Sequence, residues 1–179
     1  MKTWWLAVDK NGGHSSYTEL KHRKIVAQGW SKLGNLDLLK KCLPNNKREF
    51  FKIIQLLGDV AYKSASWWLN KDKNATRCPT VMWNLMKVKK GDLIVAIEGA
   101  TVKGICEMTA DGVESYRYDN SYEYAQTIGF PVKWVDWNGN NFEAFTPKAP
   151  QQSVQGIRGL NKESKKVIDA WNEYKSKKG

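Results

Sequence analysis

Residues 88 to 108, VKKGDLIVAIEGATVKGICEM, constrain the fold more than any other stretch. An apolar run meets a tight turn at Glu98-Gly99, and a second run follows in which Val102, Ile105 and Met108 are apolar, the signature of a β-hairpin. Residues 130 to 145, FPVKWVDWNGNNFEAF, repeat the scheme, with Asn138-Gly139 predicting a type I′ turn. A further strand is expected over TWWLAV, residues 3 to 8, which is rich in strand formers and stops at the turn signal DKNGG. Trp4 and Trp5 alternate along it, so one of them is expected to face the interior.

Three helices are predicted beside these strands. The first, 17 to 28, is weakly amphipathic and carries a basic face of Lys21, Arg23 and Lys24. The second, 46 to 58, puts Phe50, Phe51, Ile53, Ile54 and Leu57 on one face, with Gly58 near its end and LPNN as the loop before it. The third runs from about 161 to 175, with Val167, Ile168, Trp171 and Tyr174 at helical spacing and Asn161 placed to cap its start. Strands in the middle and helices at the flanks predict an α+β domain, a small curved sheet or open β-barrel flanked by helices. A chain of 179 residues is the size of one such domain and buries a core without disulfides.

The net charge of +11, from 29 Lys and Arg against 18 Asp and Glu, favours an anionic partner, with solubility as the simpler alternative. Nine Trp are more than a core of this size needs, since each buried indole N–H wants a partner, and they suggest a lined pocket. Cys42, Cys78 and Cys106 are odd in number and far apart, which argues against a disulfide framework or a structural zinc site and fits buried thiols in a reducing compartment. There is no signal-peptide apolar region and no run approaching a membrane span, so a cytoplasmic protein with no membrane partner is expected. No phosphate loop, dinucleotide fingerprint or metalloprotease motif occurs, His14 and His22 lack a ligand cluster, and Asp92 reads as a turn residue. No catalytic residue, metal or cofactor is therefore expected.

One tryptophan stands apart. Trp30 lies in QGWSKLG, where a basic helix should be ending, between small and polar neighbours. A site for a planar ligand on an anionic chain needs an aromatic face, a polar group to read an edge, and cations for phosphates. Trp30, Ser31 and the basic Lys21, Arg23, Lys24 and Lys32 supply all three within a dozen residues. The alternative is that Trp30 plugs the end of the sheet.

In order along the chain, WWLAVD, a helix, GWS, KKGDLIVAIEGATVKGICEM, Tyr-rich strands and FPVKWVDW resemble the PUA-like superfamily, specifically its EVE and YTH branch. QGWS resembles the YTH stretch whose Trp and Ser help to hold a methylated adenine, which assigns that role to Trp30 and Ser31. VMWNLMKVKKGD resembles the EVE-like specificity modules of modification-dependent restriction systems of the McrBC type. The resemblance spans residues 1 to 175 as one domain, with an insert at about 35 to 80 longer than such domains need, and leaves 176 to 179 as a basic tail or the start of a linker. It implies a reader of a modified, methylated DNA base that is flipped into an aromatic cage. Trp134 is the leading second wall, because PVKW aligns with a cage-bearing segment and equally with a structural strand; Trp83 and the pair Trp67-Trp68 follow. Asp9 either accepts from an exocyclic amine or begins a turn, and Tyr124 either lines the groove or packs on the sheet. The implied partners are modified DNA and an ATPase, GTPase or nuclease in another domain or subunit. The alternatives are an RNA-binding protein that reads a modified or single-stranded nucleotide, and a small nuclease or hydrolase on the same fold.

Overall fold

Strand β1 (Thr3–Val8) leads to helix α1 (Tyr17–Arg23), strand β2 (Val26–Gln28), two 3-10 turns (Ser31–Leu33 and Asp37–Cys42) and helices α2 (Lys47–Ala61) and α3 (Arg77–Lys87). The hairpin β3 (Leu93–Glu98) and β4 (Thr101–Glu107) follows, then the short helix α4 (Gly112–Ser115) and strands β5 (Arg117–Tyr118), β6 (Gln126–Ile128) and β7 (Val135–Asp136). Strand β8 (Val154–Gly156) and helix α5 (Lys162–Ser176) complete the order. The computed structural model describes residues 1–9, 16–42, 45–65, 77–140, 142, 154–156 and 162–178. Trp67, Trp68, His14, Lys10 to Gly13 of the first turn signal and Asn161 lie outside the described residues.

The architecture is α+β with two sheets. One has five strands in the order β7-β4-β3-β1-β8, and the other has three in the order β2-β6-β5. Strands β1 and β3 are parallel, with Trp5 opposite Val95, while the remaining pairs are antiparallel. The hairpin turns at Gly99, whose positive φ of 61° is one that glycine adopts without strain. Its register slips by one residue between Ala96 and Ile97, so a bulge bends β4 where it meets β3.

Both faces of the larger sheet are covered. Trp4, Leu6, Val8, Ile94 and Cys106 pack into one core with α1, α2, α3 and the smaller sheet. Trp5, Val95, Ile97 and Ile105 pack into a second core with Trp137, Val167 and Trp171. Trp4 and Trp5 are therefore both buried, on opposite faces, because each face has its own cover. Thr3, on the same face as Trp5, shares a 2.7 Å hydrogen bond between its hydroxyl and that of Ser164 on α5. The aliphatic run of β3 reads as continuously apolar for this reason.

Asp92 does more than make a turn. It is 3 % exposed and accepts from Lys89 N (3.0 Å), from Lys2 N (2.7 Å) and from the Trp4 indole (2.9 Å). The carboxylate thus joins the start of β1 to the turn that begins β3.

Two expectations differ from the structure, and one helix is additional to those expected. The first helix stops at Arg23 rather than running to residue 28: Lys24 takes left-handed backbone (φ 56°), and Ile25 N donates to Leu20 O in a Schellman-type cap. The β-branched Ile25 then leads into β2, where Val26 is registered opposite Ile128 of β6. Asn138-Gly139 lies in a 3-10 turn (Asn138–Asn140) and not in a hairpin among the described residues, and β7 pairs instead with β4. Helix α3 is additional to the expected helices, and it buries Cys78, Val81, Met82, Leu85 and Met86 at helical spacing. Among the described residues, no helix is long and apolar enough to cross a membrane.

Candidate functional site

The β2 strand ends at Gln28, and the chain reverses through Gly29 and Trp30. Trp30 has φ 62° and ψ 37°, left-handed backbone; Lys24 and Trp30 are the two non-glycine residues with positive φ among those described. For a residue with a Cβ this conformation costs about 1–2 kcal/mol, and it persists only where the surroundings over-determine it.

A buried polar network supplies that constraint. Gln28, Gln126 and Tyr118 occupy one row across the smaller sheet, as Gln126 is registered with both neighbours, so the three side chains stand on one face. The Gln126 amide nitrogen donates to the carbonyls of Trp30 (3.2 Å) and Gly34 (3.1 Å), and its oxygen accepts from the Tyr116 hydroxyl (2.5 Å). Tyr118 donates to Ser31 O at 2.9 Å, and Leu36 N donates to the Tyr116 hydroxyl at 3.0 Å. From the other side Lys32 N donates to the Tyr62 hydroxyl at 3.2 Å. Five side-chain bonds to the backbone of residues 30 to 36, at about 1 kcal/mol each, outweigh the strain at Trp30. Burial pushes the Tyr116 and Tyr62 hydroxyls up to about 12, partly offset by the bonds they accept from Leu36 N and Lys32 N.

The Trp30 ring is half-buried and meets Tyr62 edge-on, with centroids 5.8 Å apart and planes at 85°. Tyr124 is 9 % exposed and its ring runs alongside Gly29, where a Cβ would stand 3.6 Å from it. Trp30, Ser31, Lys32 and Tyr124 therefore do meet at this corner. Tyr62, Tyr116, Tyr118, Gln28 and Gln126 join them without having been singled out from sequence.

Other candidates are placed elsewhere. Trp134 is 6 % exposed, donates from its indole to Ile25 O at 2.8 Å and packs edge-on against Tyr17, so of its two roles the structural one is occupied. Trp83 lies on α3 at 5 % exposure, against Phe50 and Phe51. Asp9 is exposed just beyond β1. Lys21 pairs with Asp136 at 2.6 Å, which holds that carboxyl below its ordinary range, and Arg23 pairs with Asp119 at 3.3 Å beneath the Tyr122 ring. Lys32 is exposed at the corner, whereas Lys24, also exposed, lies at the other end of β2, so the structure does not bring it to Trp30. Cys78 and Cys106 are buried, and burial raises both thiols far above the range where a thiolate forms. Among the described residues no group of three or more His, Cys, Asp and Glu is arranged to hold a metal.

A trough of about 400 Å³ lies against α5, bordered by Glu107, Lys133, Val135, Trp171, Tyr174 and Lys175. Its polar groups are largely paired with one another: Glu107 accepts from the Trp171 indole (2.7 Å) and from Lys175 (3.2 Å), and Trp171 stacks on Tyr174. It lacks the strained backbone and the unmade buried bond found at the Trp30 corner, which is the better candidate. Compared with protein-family models, with curated proteins and with solved structures, the chain matches none.

Proposed function

We propose that this chain is a nucleic-acid-binding module of the PUA-like type, in its EVE and YTH branch, that captures one modified DNA base against Trp30. The observation that carries this reading is the left-handed backbone of Trp30, held by a buried polar network. A large aromatic residue kept in a costly conformation points to a demand on where its ring stands, beyond the edge contact that it makes with Tyr62. Stacking against such a ring contributes about 1–3 kcal/mol per base. The net charge of +11 supports an anionic partner, with Lys32 exposed two residues from Trp30 to meet a phosphate.

A methyl group adds apolar area to the base, and one on the pairing edge of adenine also weakens its pair, so an aromatic corner gains selectivity for such a base from both effects. The module would read DNA while cleavage or translocation is supplied by another domain or subunit, as in modification-dependent restriction systems.

The test is binding to matched short duplexes, unmodified or carrying methyladenine, methylcytosine or hydroxymethylcytosine, at two salt concentrations. One modified duplex is expected to bind at least about tenfold tighter, a difference of about 1.4 kcal/mol. Trp30→Ala is expected to erase that preference and leave a salt-dependent background. Equal binding to every duplex refutes the reading, and a preference for matched RNA over DNA moves it to a reader of the 2′-hydroxyl.

A further inference from the structure

Gln28 is the last residue of β2, two positions before Trp30, and it is 2 % exposed. Its amide nitrogen is buried and has no hydrogen-bond partner. The two side chains that share its row, Gln126 and Tyr118, are both engaged with the carbonyls of the Trp30 corner. Gln28 is registered opposite Gln126 and faces the same way, yet it takes no part in that network. A buried amide donor left unmade costs about 1–3 kcal/mol, and native proteins keep few of them. An apolar residue of similar length would fill the position without that cost.

We infer that Gln28 is the edge-reading residue of the Trp30 site, holding a donor for an acceptor on the bound base, a ring nitrogen or a carbonyl oxygen. This rests on the proposal that Trp30 stacks a nucleobase. Stacking is indifferent to the edge of a base, because every base has a π-face, so a ring alone cannot orient what it holds. A carboxamide supplies the missing direction, as Gln does when it bonds adenine through adjacent donor and acceptor atoms. Placed at the strand end on a rigid sheet, it is positioned more firmly than a loop residue would be.

The experiment compares wild type with Gln28→Met and Gln28→Glu on the duplex panel, together with the thermal midpoint of each ligand-free protein. Gln28→Met removes the donor and keeps the length, so the free protein is expected to be as stable as wild type or more stable. Its preference for the modified duplex is expected to fall about tenfold or more, with the salt-dependent background unchanged. Gln28→Glu replaces the donor by an acceptor and is expected to lose the preference as well; if it fails to fold, Gln28→Met alone decides. A full preference in Gln28→Met overturns the inference while leaving the Trp30 reading intact. A lower midpoint in Gln28→Met also overturns it, since the amide would then be bonded in the free protein. No preference in wild type, by contrast, removes the reading on which the inference stands.

Discussion

Replacing Trp30 by Ala and by Gly separates the backbone strain from the ring. Both variants lose the same indole and its edge contact with Tyr62, so that term cancels in their difference. At φ 62° the Ala Cβ retains a cost of about 1–2 kcal/mol that Gly does not have. Gly in turn loses about 0.4–1 kcal/mol through the greater freedom of its unfolded chain. Trp30→Gly is thus expected to be the more stable of the two by about 0.5–1 kcal/mol, which in a chain of this size is about 1–4 °C in thermal midpoint. The sign is the informative part. At Lys52, an exposed position inside α2, the same pair is expected to run the other way, with Ala ahead of Gly by about 1 kcal/mol. Urea unfolding of the four variants in one buffer measures both differences. If Trp30→Ala equals or exceeds Trp30→Gly, the left-handed backbone at Trp30 is not strained and the argument for a presented ring falls with it.

Asp92→Asn keeps the shape but turns one acceptor into a donor facing the Lys89 amide and the Trp4 indole, and is expected to cost about 2–4 kcal/mol in urea unfolding; a loss below about 1 would contradict the buried three-donor arrangement. Gly104→Ala places a Cβ 2.1 Å from the Tyr17 hydroxyl, so the ring must leave Asp136 and Trp134; about 3 kcal/mol of destabilisation is expected, with less than additive loss when combined with Tyr17→Leu. The tyrosines give a pH dependence. Tyr62 and Tyr116 have folded pKa values raised from about 10 to about 12, so the unfolded chain releases their protons first and stability is fully present below about pH 10 and lost as pH rises toward 12. The urea midpoint is expected to fall over that window, and Tyr116→Phe is expected to make the fall shallower; a flat midpoint up to pH 11.5 would show that these hydroxyls are not protected.

The hairpin was readable because both its strands and its turn are local: a continuous apolar run, Glu98-Gly99, and a second run. The C-terminal helix was readable for the same reason, since Val167, Trp171 and their neighbours sit at one spacing. Where the outcome depended on a distant partner, local signals misled. IVAQ continues a helical pattern on paper, but a strand at residues 126–128 claims it. Asn138-Gly139 carries hairpin chemistry, but the strand before it is paired with β4 instead. The site divides in the same way. Trp30, Ser31 and Lys32 were visible because a tryptophan between small residues is locally odd. The residues that hold them, Tyr62, Tyr116, Tyr118 and Gln126, come from three separate parts of the chain, and no spacing links a glutamine at 126 to a carbonyl at 30. Trp134 shows the opposite failure, since its short motif fits a cage and a strand equally and only the bond to Ile25 O decides which position it fills.

The two-faced burial of the larger sheet has a practical side. Trp30 packs against the core on one face, whereas α5 covers the core on the other. A tether joined beyond Ser176, whether to a sensor chip, a bead or a fluorescent protein, would leave from the face turned away from the Trp30 corner. Single-molecule and surface-based measurements can therefore immobilise the protein through that helix and still present Trp30 to a passing duplex.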